Sequence, residues 1–226
     1  TEGRILIDGH DLRDVTIDSL RRQIGIVLQD TFLFSDTVAR NIALGAADGA
    51  DARALAALAE VAGEIDALPQ GFETLLGERG VNLSGGQRQR VAIARAIGCD
   101  PRVLVLDDCL SAVDARTEGA ILDNLDRVFN GRSGIVVSHR VRAVERCDEI
   151  LVLQDGRIAA RGTHRELLAQ GGDGGERRQV QGLAAQFLVD HRQLAALRNV
   201  FWRLQTGAEH SVNVFGHRCP NRRRFR

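Results

Sequence analysis

Arg102-Val103-Leu104-Val105-Leu106-Asp107-Asp108 is the stretch on which the fold turns. Four apolar residues run without interruption between a basic residue and two carboxylates. A strand with one wet face alternates apolar and polar residues, whereas an unbroken apolar run suits a strand covered on both faces, as in a parallel sheet flanked by helices. Ile135-Val136-Val137 repeats the pattern. Working outward, further strands are expected at Arg4–Asp8, Gln23–Gln29, Gly134–Ser138, Glu149–Leu153 and Arg157–Ala160, with Asp155-Gly156 as a hairpin turn between the last two. Helical patterns lie between them. Ala115–Asn130 places Ile121, Leu122, Leu125, Val128 and Phe129 on one face. Gln87–Ile97 and the Ala- and Leu-rich stretch Asp51–Leu68 read as helix. Residues from about 43 to 100 therefore look like a helical insertion into an α/β core.

Composition sets the limits. The chain has 226 residues, 44% of them apolar, which is enough for one α/β domain with a sizeable core. Its formal net charge of zero singles out neither nucleic acid nor an anionic surface as a partner. The zero conceals an asymmetry: residues 1–170 carry 20 basic and 26 acidic groups, and 171–226 carry 10 and 4. Every basic residue is arginine. Methionine is absent, so the chain is expected to be a fragment or a processed piece. No window approaches 18 consecutive apolar residues and no signal-peptide pattern opens the chain. Cys99, Cys109, Cys147 and Cys219 form no C-x-x-C pair, and reduced thiols in the cytoplasm are expected. Residues 171–226 differ from the rest. They open on Gly171-Gly172-Asp173-Gly174-Gly175, end on Arg222-Arg223-Arg224-Phe225-Arg226, and contain a candidate amphipathic helix at Leu183–Leu204.

Two constellations carry chemistry. Leu83-Ser84-Gly85-Gly86-Gln87 precedes a helix. Glycines let backbone approach a ligand closely, and the free N–H groups of a helix N-terminus attract an anion. Asp107 and Asp108 end a buried strand at its carboxyl end, where open α/β sheets bind ligands. The first acid is suited to holding Mg²⁺, directly or through water, and the second to polarising an attacking water. Ser111-Ala112-Val113-Asp114 follows at once, and His139 ends the next apolar strand.

The order Gln29, Leu83–Gln87, Val103–Asp108, Ser111–Asp114 and His139 resembles the ATP-binding-cassette (ABC) nucleotide-binding domain, in its Q-loop, signature, Walker B, D-loop and switch histidine. The resemblance covers about residues 1–170. Phe32–Val38 with Asn41-Ile42, and Gly77-Glu78-Arg79-Gly80, are similar to the exporter branch, whose corresponding surfaces touch transmembrane domains. The resemblance implies an incomplete P-loop NTPase (RecA-like) α/β core with a helical subdomain insertion, missing the Walker A segment. No lysine exists to supply G-x-x-x-x-G-K-[ST], the loop that cradles the β- and γ-phosphates.

The resemblance also implies roles. ATP and Mg²⁺ are the cofactors. Asp107 and Gln29 hold the metal; Asp108, His139 and Gln29 serve hydrolysis. Leu83, Ser84, Gly85, Gly86 and Gln87 close over ATP held by a partner, and Ser111 and Asp114 belong to the D-loop between the two sites. Partners are a second nucleotide-binding domain, in a homodimer or a heterodimer, and transmembrane domains of the same exporter at the cytoplasmic face of the inner membrane; no nucleic acid is expected. Two departures shape the reading. The chain, lacking a P-loop, is expected not to hydrolyse ATP alone. Asp108 stands where the family usually has glutamate, as in the degenerate subunit of heterodimeric exporters. The alternative reading is a non-catalytic truncated module that only completes or competes for a partner's ATP site. Residues 171–226 match no family pattern and are expected to be a disordered Arg-rich tail or a short helix.

Overall fold

The computed structural model describes residues 5–77, 82–154, 157–170 and 185–188. The chain divides into two compact units, residues 1–23 with 133–226 and residues 24–132. The first unit opens with a two-residue ladder, β1 (Leu6–Ile7) antiparallel to β2 (His10–Asp11), followed by α1 (Ile17–Gln23).

Residues 24–132 carry β3 (Ile24–Val27), α2 (Val38–Ala43), α3 (Ala52–Leu58), α4 (Ala62–Asp66), α5 (Gly85–Gly98), β4 (Val103–Asp107) and α6 (Ala115–Val128). The unbroken apolar run Val103–Leu106 forms the strand expected of it. Val103, Leu104 and Leu106 are buried, and β4 pairs parallel with β3 from Ile24↔Val103 to Val27↔Leu106. Leu33, Ile42, Ile65, Ile93, Ile121 and Leu125 are fully buried. Burying each such side chain contributes about 1.5–3 kcal/mol before the entropy of ordering is charged against it.

One helical stretch over Asp51–Leu68 is corrected to two. The chain breaks at Glu60, whose φ of +54° is left-handed. Arg90 Nη1 donates to the Glu60 carbonyl at 2.5 Å, which gives a helix-terminal carbonyl a charged partner. The break lets α3 bury Ala56 and α4 bury Ile65, with Val61 buried at the joint. Ala and Leu content favours helix at every position here and says nothing about where it must turn.

Residues 133–226 carry β5 (Ser133–Val137), α7 (Val141–Val144), β6 (Ile150–Gln154), β7 (Arg157–Gly162), α8 (His164–Gln170) and β8 (Ala185–Leu188). Every residue of β5 is buried, as its apolar run predicts. β6 and β7 pair antiparallel as expected, the turn read at Asp155-Gly156 lies outside the described residues, and an ion pair from Arg161 to Glu149 ties the base of the strand pair. The helix expected at Leu183–Leu204 is corrected in part: Ala185–Leu188 form a strand, and the remainder lies outside the described residues. The pattern that suggested an amphipathic helix contains Ala-Gln-Phe-Leu, which also fits a short strand once a sheet edge is on offer. Cys99, Cys109 and Cys147 are free thiols. No helix among the described residues is long and apolar enough to cross a membrane.

Candidate functional site

Most of the sequence-predicted site lies in residues 24–132, and the parallel β3–β4 pair explains why. Val27 pairs with Leu106, so the two strands end together. Gln29 leaves one strand, and Asp107 and Asp108 leave the other, at the same carboxyl edge. Open α/β sheets place their ligands at this edge because loops there are free to diverge. Gln29 is exposed in the loop after β3, while Asp107 and Asp108 are half-buried.

The two carboxylates are not equivalent. Burial, and then the neighbouring Asp108, push the Asp107 carboxyl above the usual carboxylate range. Asp108 adopts a left-handed backbone with φ +43°. Few residues besides glycine tolerate that region, Asp and Asn more readily than most, and such conformations concentrate at functional turns. Two hard oxygen donors in succession, one of them disfavoured as an isolated anion, suit a hard cation. Among the described residues no group of three or more His, Cys, Asp or Glu side chains is placed to hold a metal. Of the two, Asp107 is the donor that could contribute to a Mg²⁺ site of the kind that takes one or two protein carboxylates and fills its other positions with phosphate and water.

The signature begins with an anchored leucine. Leu83 is buried, and its carbonyl accepts from Arg88 Nη1 at 2.7 Å. Ser84 is the N-cap of α5: its Oγ accepts from Gln87 N at 3.2 Å, and Gln87 Oε1 accepts from Ser84 N at 2.8 Å. This reciprocal cap stabilises a helix start by about 1 kcal/mol. The N–H groups of Gly85 and Gly86 lie in the first turn, where an α-helix has no internal acceptor for them. Gln87 is fully engaged, since its Nε2 also donates to Glu64 Oε2 at 2.8 Å.

The two glycines have different reasons. A Cβ on Gly86 would lie 2.7 Å from the Ala112 carbonyl oxygen, so the D-loop backbone itself forbids a side chain there. A Cβ on Gly85 would meet the Ala112 Cβ at 3.7 Å and Arg88 Nη2 at 4.0 Å, both ordinary contacts. Packing within this chain does not require glycine at 85.

Signature and D-loop are joined by a residue that the sequence reading passed over. Gln89 is buried. It donates from Nε2 to Ser111 Oγ at 3.1 Å and accepts from Ala112 N at 3.1 Å. Ser111 Oγ in turn donates to the Asp108 carbonyl at 2.9 Å. A continuous hydrogen-bonded path thus runs from α5 through the D-loop to the Walker B aspartate. A glutamine two positions past Gln87 reads in sequence as one more polar residue on a helix. Only the fold shows that it is buried. Asp114 caps α6, accepting from Arg116 N at 3.0 Å and Thr117 N at 3.1 Å, and these bonds, Thr117 first, hold its carboxyl below the ordinary range. Gln29, Thr31, Phe32, Gly85, Gln89 and Ala112 share an open cleft of about 660 Å³. His139 follows β5, is exposed, and belongs to the other compact unit.

The exporter-type segment has its own physical logic. Buried Asn41 accepts from Phe34 N at 2.8 Å and donates to the carbonyls of Phe34 at 3.0 Å and Thr37 at 3.0 Å. That clamp buries Leu33 and holds Phe32 and Phe34 outward, half-exposed and edge-to-face at 5.0 Å. The second exporter-like stretch, Gly77–Gly80, lies outside the described residues except for Gly77.

Beneath the signature, buried Arg90 pairs with Glu64, Nη1 to Oε1 at 2.7 Å. The Arg90 hydrogen bond, helped by Gln87 and opposed by burial, holds the Glu64 carboxyl below its usual value. A depressed carboxyl contributes stability above its unfolded pKa and loses it as pH falls through the folded one. Glu64→Gln is therefore expected to lower the urea midpoint at pH 7 and to lower it by less at about pH 3, below the ordinary glutamate pKa of about 4.3, where the parent chain is losing the contribution of Glu64. Urea melts at the two pH values check it.

The comparisons follow the geometry. The family described as ABC transporter matches residues 1–111. The ATP-dependent lipid A-core flippase of Aromatoleum aromaticum is 51% identical over 173 residues, covering 75% of this chain and 29% of that protein. The mitochondrial iron-sulfur clusters transporter atm1 of Aspergillus fumigatus is 48% identical over 171 residues, covering 74% and 24%. A bacterial Atm1-family ABC exporter solved with ATP bound superposes with a TM-score of 0.71 at 48% identity, covering 75% of this chain and 30% of that one. The chain thus spans under a third of the length of these relatives. A parallel strand pair ending in Gln29 and Asp107-Asp108, a capped LSGGQ helix and these similarities lead to one conclusion: the chain belongs to the ABC transporter family and carries part of an exporter-type nucleotide-binding domain of P-loop NTPase fold.

Proposed function

We propose that this chain supplies the signature side of a composite ATP site in a dimeric membrane exporter. The observation that carries the reading is the first turn of α5. Its cap leaves the Gly85 and Gly86 N–H groups for an anion, and Gly85 is bare where packing does not require it. Residues 1–170 act as a partial nucleotide-binding domain with a helical subdomain at about 43–100, and 171–226 form an Arg-rich tail. ATP held by a partner's P-loop is closed from the other side by Ser84, Gly85 and Gly86. Leu83 anchors that turn, and Gln87 fixes it from within.

On the chain's own hydrolytic side, Asp107 and Gln29 would hold Mg²⁺, which when bound neutralises charge on the phosphates. Gln29 orients the attacking water, Asp108 accepts its proton, and His139 contacts the terminal phosphate. Hydrolysis of this kind rests on positioning and charge stabilisation, so these residues affect rate more than folding. Ser111 and Asp114 bring the D-loop toward the second site. Phe32 and Phe34 face the transmembrane domains at the cytoplasmic side of the membrane.

Asp108 in place of glutamate favours a heterodimer, in which this subunit's own site hydrolyses poorly and its signature serves a competent partner. A full exporter containing this domain, reconstituted alone in lipid, is expected to hydrolyse ATP slowly, and addition of a glutamate-bearing partner subunit to raise turnover. Rapid hydrolysis by the single subunit, abolished by Asp108→Asn, would contradict the heterodimer.

A further inference from the structure

Glu64 lies on α4, in the helical insertion, one side chain removed from the signature turn. Its side chain is 47% exposed, against 8% for its ion-pair partner Arg90. A pair so open to water on one side adds little stability. The pattern of its bonds is more informative than their strength. Oε1 accepts from Arg90 Nη1 at 2.7 Å. Oε2 accepts twice, from Arg90 Nη2 at 2.9 Å and from Gln87 Nε2 at 2.8 Å. All these donors converge on a group that has only acceptors to offer. Through Arg90 the same carboxylate reaches the turn a second time, because Arg90 Nε donates to the Gly86 carbonyl at 3.2 Å.

The bond from Gln87 has a consequence for the cap. A glutamine amide carries oxygen on one side and NH₂ on the other, nearly equal in shape, and its partners settle which faces which. Away from Glu64, the Gln87 amide meets the backbone N–H of Ser84, which finds its acceptor in Gln87 Oε1 at 2.8 Å. Turned over, the amide would set NH₂ against that N–H and oxygen against the Glu64 carboxylate. Both contacts would be repulsive. The carboxylate therefore selects the orientation that closes the reciprocal cap, in which Gln87 N bonds to Ser84 Oγ at 3.2 Å. The cap holds Ser84 in extended backbone, φ −63° and ψ 162°. It occupies an acceptor site of the exposed Ser84 hydroxyl and leaves the proton to donate.

We propose that Glu64 is a positioning residue for the signature turn: by taking Gln87 Nε2 it fixes the amide so that Oε1 closes the cap on Ser84, and so aims the Ser84 hydroxyl at phosphate. The last clause rests on the ATP-site reading above; the control of the cap does not. A glutamine at 64 cannot do the same. It offers one acceptor and one NH₂ where the carboxylate offers two acceptors. With its oxygen toward Gln87, its NH₂ faces the Arg90 guanidinium. With its oxygen toward Arg90 Nη1, its NH₂ faces Gln87 Nε2 and favours the overturned amide. Because water reaches Glu64, the variant is expected to fold with the Gln87 amide in both orientations.

Amide exchange of the full 226-residue chain and its Glu64→Gln variant, read residue by residue by NMR, tests the control of the cap. Exchange at Ser84 is expected to rise by a factor about fivefold larger than at Val91, the weight of one N-cap bond. Val91 is buried within α5 and reports opening of the helix as a whole. A carboxylate that merely stabilised the fold would move both by the same factor. Equal factors, or no rise at Ser84, would overturn the proposal. The parent chain supplies a readout that needs no variant. Its Gln87 side-chain amide protons are expected to exchange more slowly than those of exposed Gln29. Equal exchange at the two side chains would refute the hold of Glu64 on Gln87.

Association separates the two parts of the proposal. The parent chain is expected to bind a P-loop-bearing nucleotide-binding domain loaded with ATP and Mg²⁺, and Glu64→Gln to bind it about fivefold more weakly, the typical weight of one hydrogen bond. Equal binding by both, with exchange at Ser84 raised in the variant, would overturn the aim at phosphate and leave the control of the cap standing. No ATP-dependent binding by the parent chain would contradict the composite-site reading, while exchange at Ser84 still decides what Glu64 does.

Discussion

Gly86→Ala is expected to destabilise the chain by roughly 1–3 kcal/mol, the usual cost of forcing atoms into a packed site, while Gly85→Ala leaves stability within about 0.5 kcal/mol. The two glycines are neighbours in sequence and share the first turn of α5, so helix propensity treats them alike. Their surroundings do not. At 86 a methyl group would stand 2.7 Å from the Ala112 carbonyl oxygen, which belongs to backbone and is held by the bond from Ala112 N to Gln89. Relief would require the D-loop to retreat from the signature helix and strain the path from Gln89 through Ser111 to Asp108. At 85 the added methyl group has room. If close approach of a phosphate is what demands glycine there, Gly85→Ala should spare the urea midpoint and still impair closure over a partner's ATP. Equal urea midpoints for the two variants would contradict this division of roles.

The second large effect is on rate. Asp108→Glu, made in a full exporter containing this domain, is expected to raise ATP turnover about a hundredfold. The aspartate carboxylate falls short of the glutamate position by roughly 1.5 Å, one C–C bond, and a misplacement of about 1 Å at a reacting group costs on the order of a hundredfold. The left-handed backbone at 108, φ +43°, adds a second readout, since that region suits Asp better than Glu. Turnover should therefore rise while the thermal midpoint falls slightly. Unchanged turnover would mean that Asp108 already reaches the water, or that another group does the work.

Much of this was legible in residues alone, for physical reasons that also mark the limits. Val103–Asp107 is read correctly because a strand buried on both faces must be apolar throughout, and few other structures impose that pattern. Gln29, Asp107 and Asp108 are brought to one edge because parallel strands in register end together. Asp51–Leu68 shows where such reading stops. Its composition favours helix, but the turn at Glu60 is set by Arg90, thirty positions further along the chain. The role of Gln89 is hidden for a related reason: a buried, bridging glutamine and a solvated one have the same letter. Ala185–Leu188 is hardest of all, because a short apolar segment takes strand or helix form according to what it meets. Here it meets two strands with nothing else between them.

The central claim is that Leu83–Gln87 serves nucleotide held by another subunit. Equilibrium titration of the 226-residue chain with labelled ATP and Mg²⁺ tests it most directly. The account predicts no saturable binding in the micromolar range, because no lysine-bearing phosphate loop is present to hold the β- and γ-phosphates. Micromolar affinity for the isolated chain would contradict it.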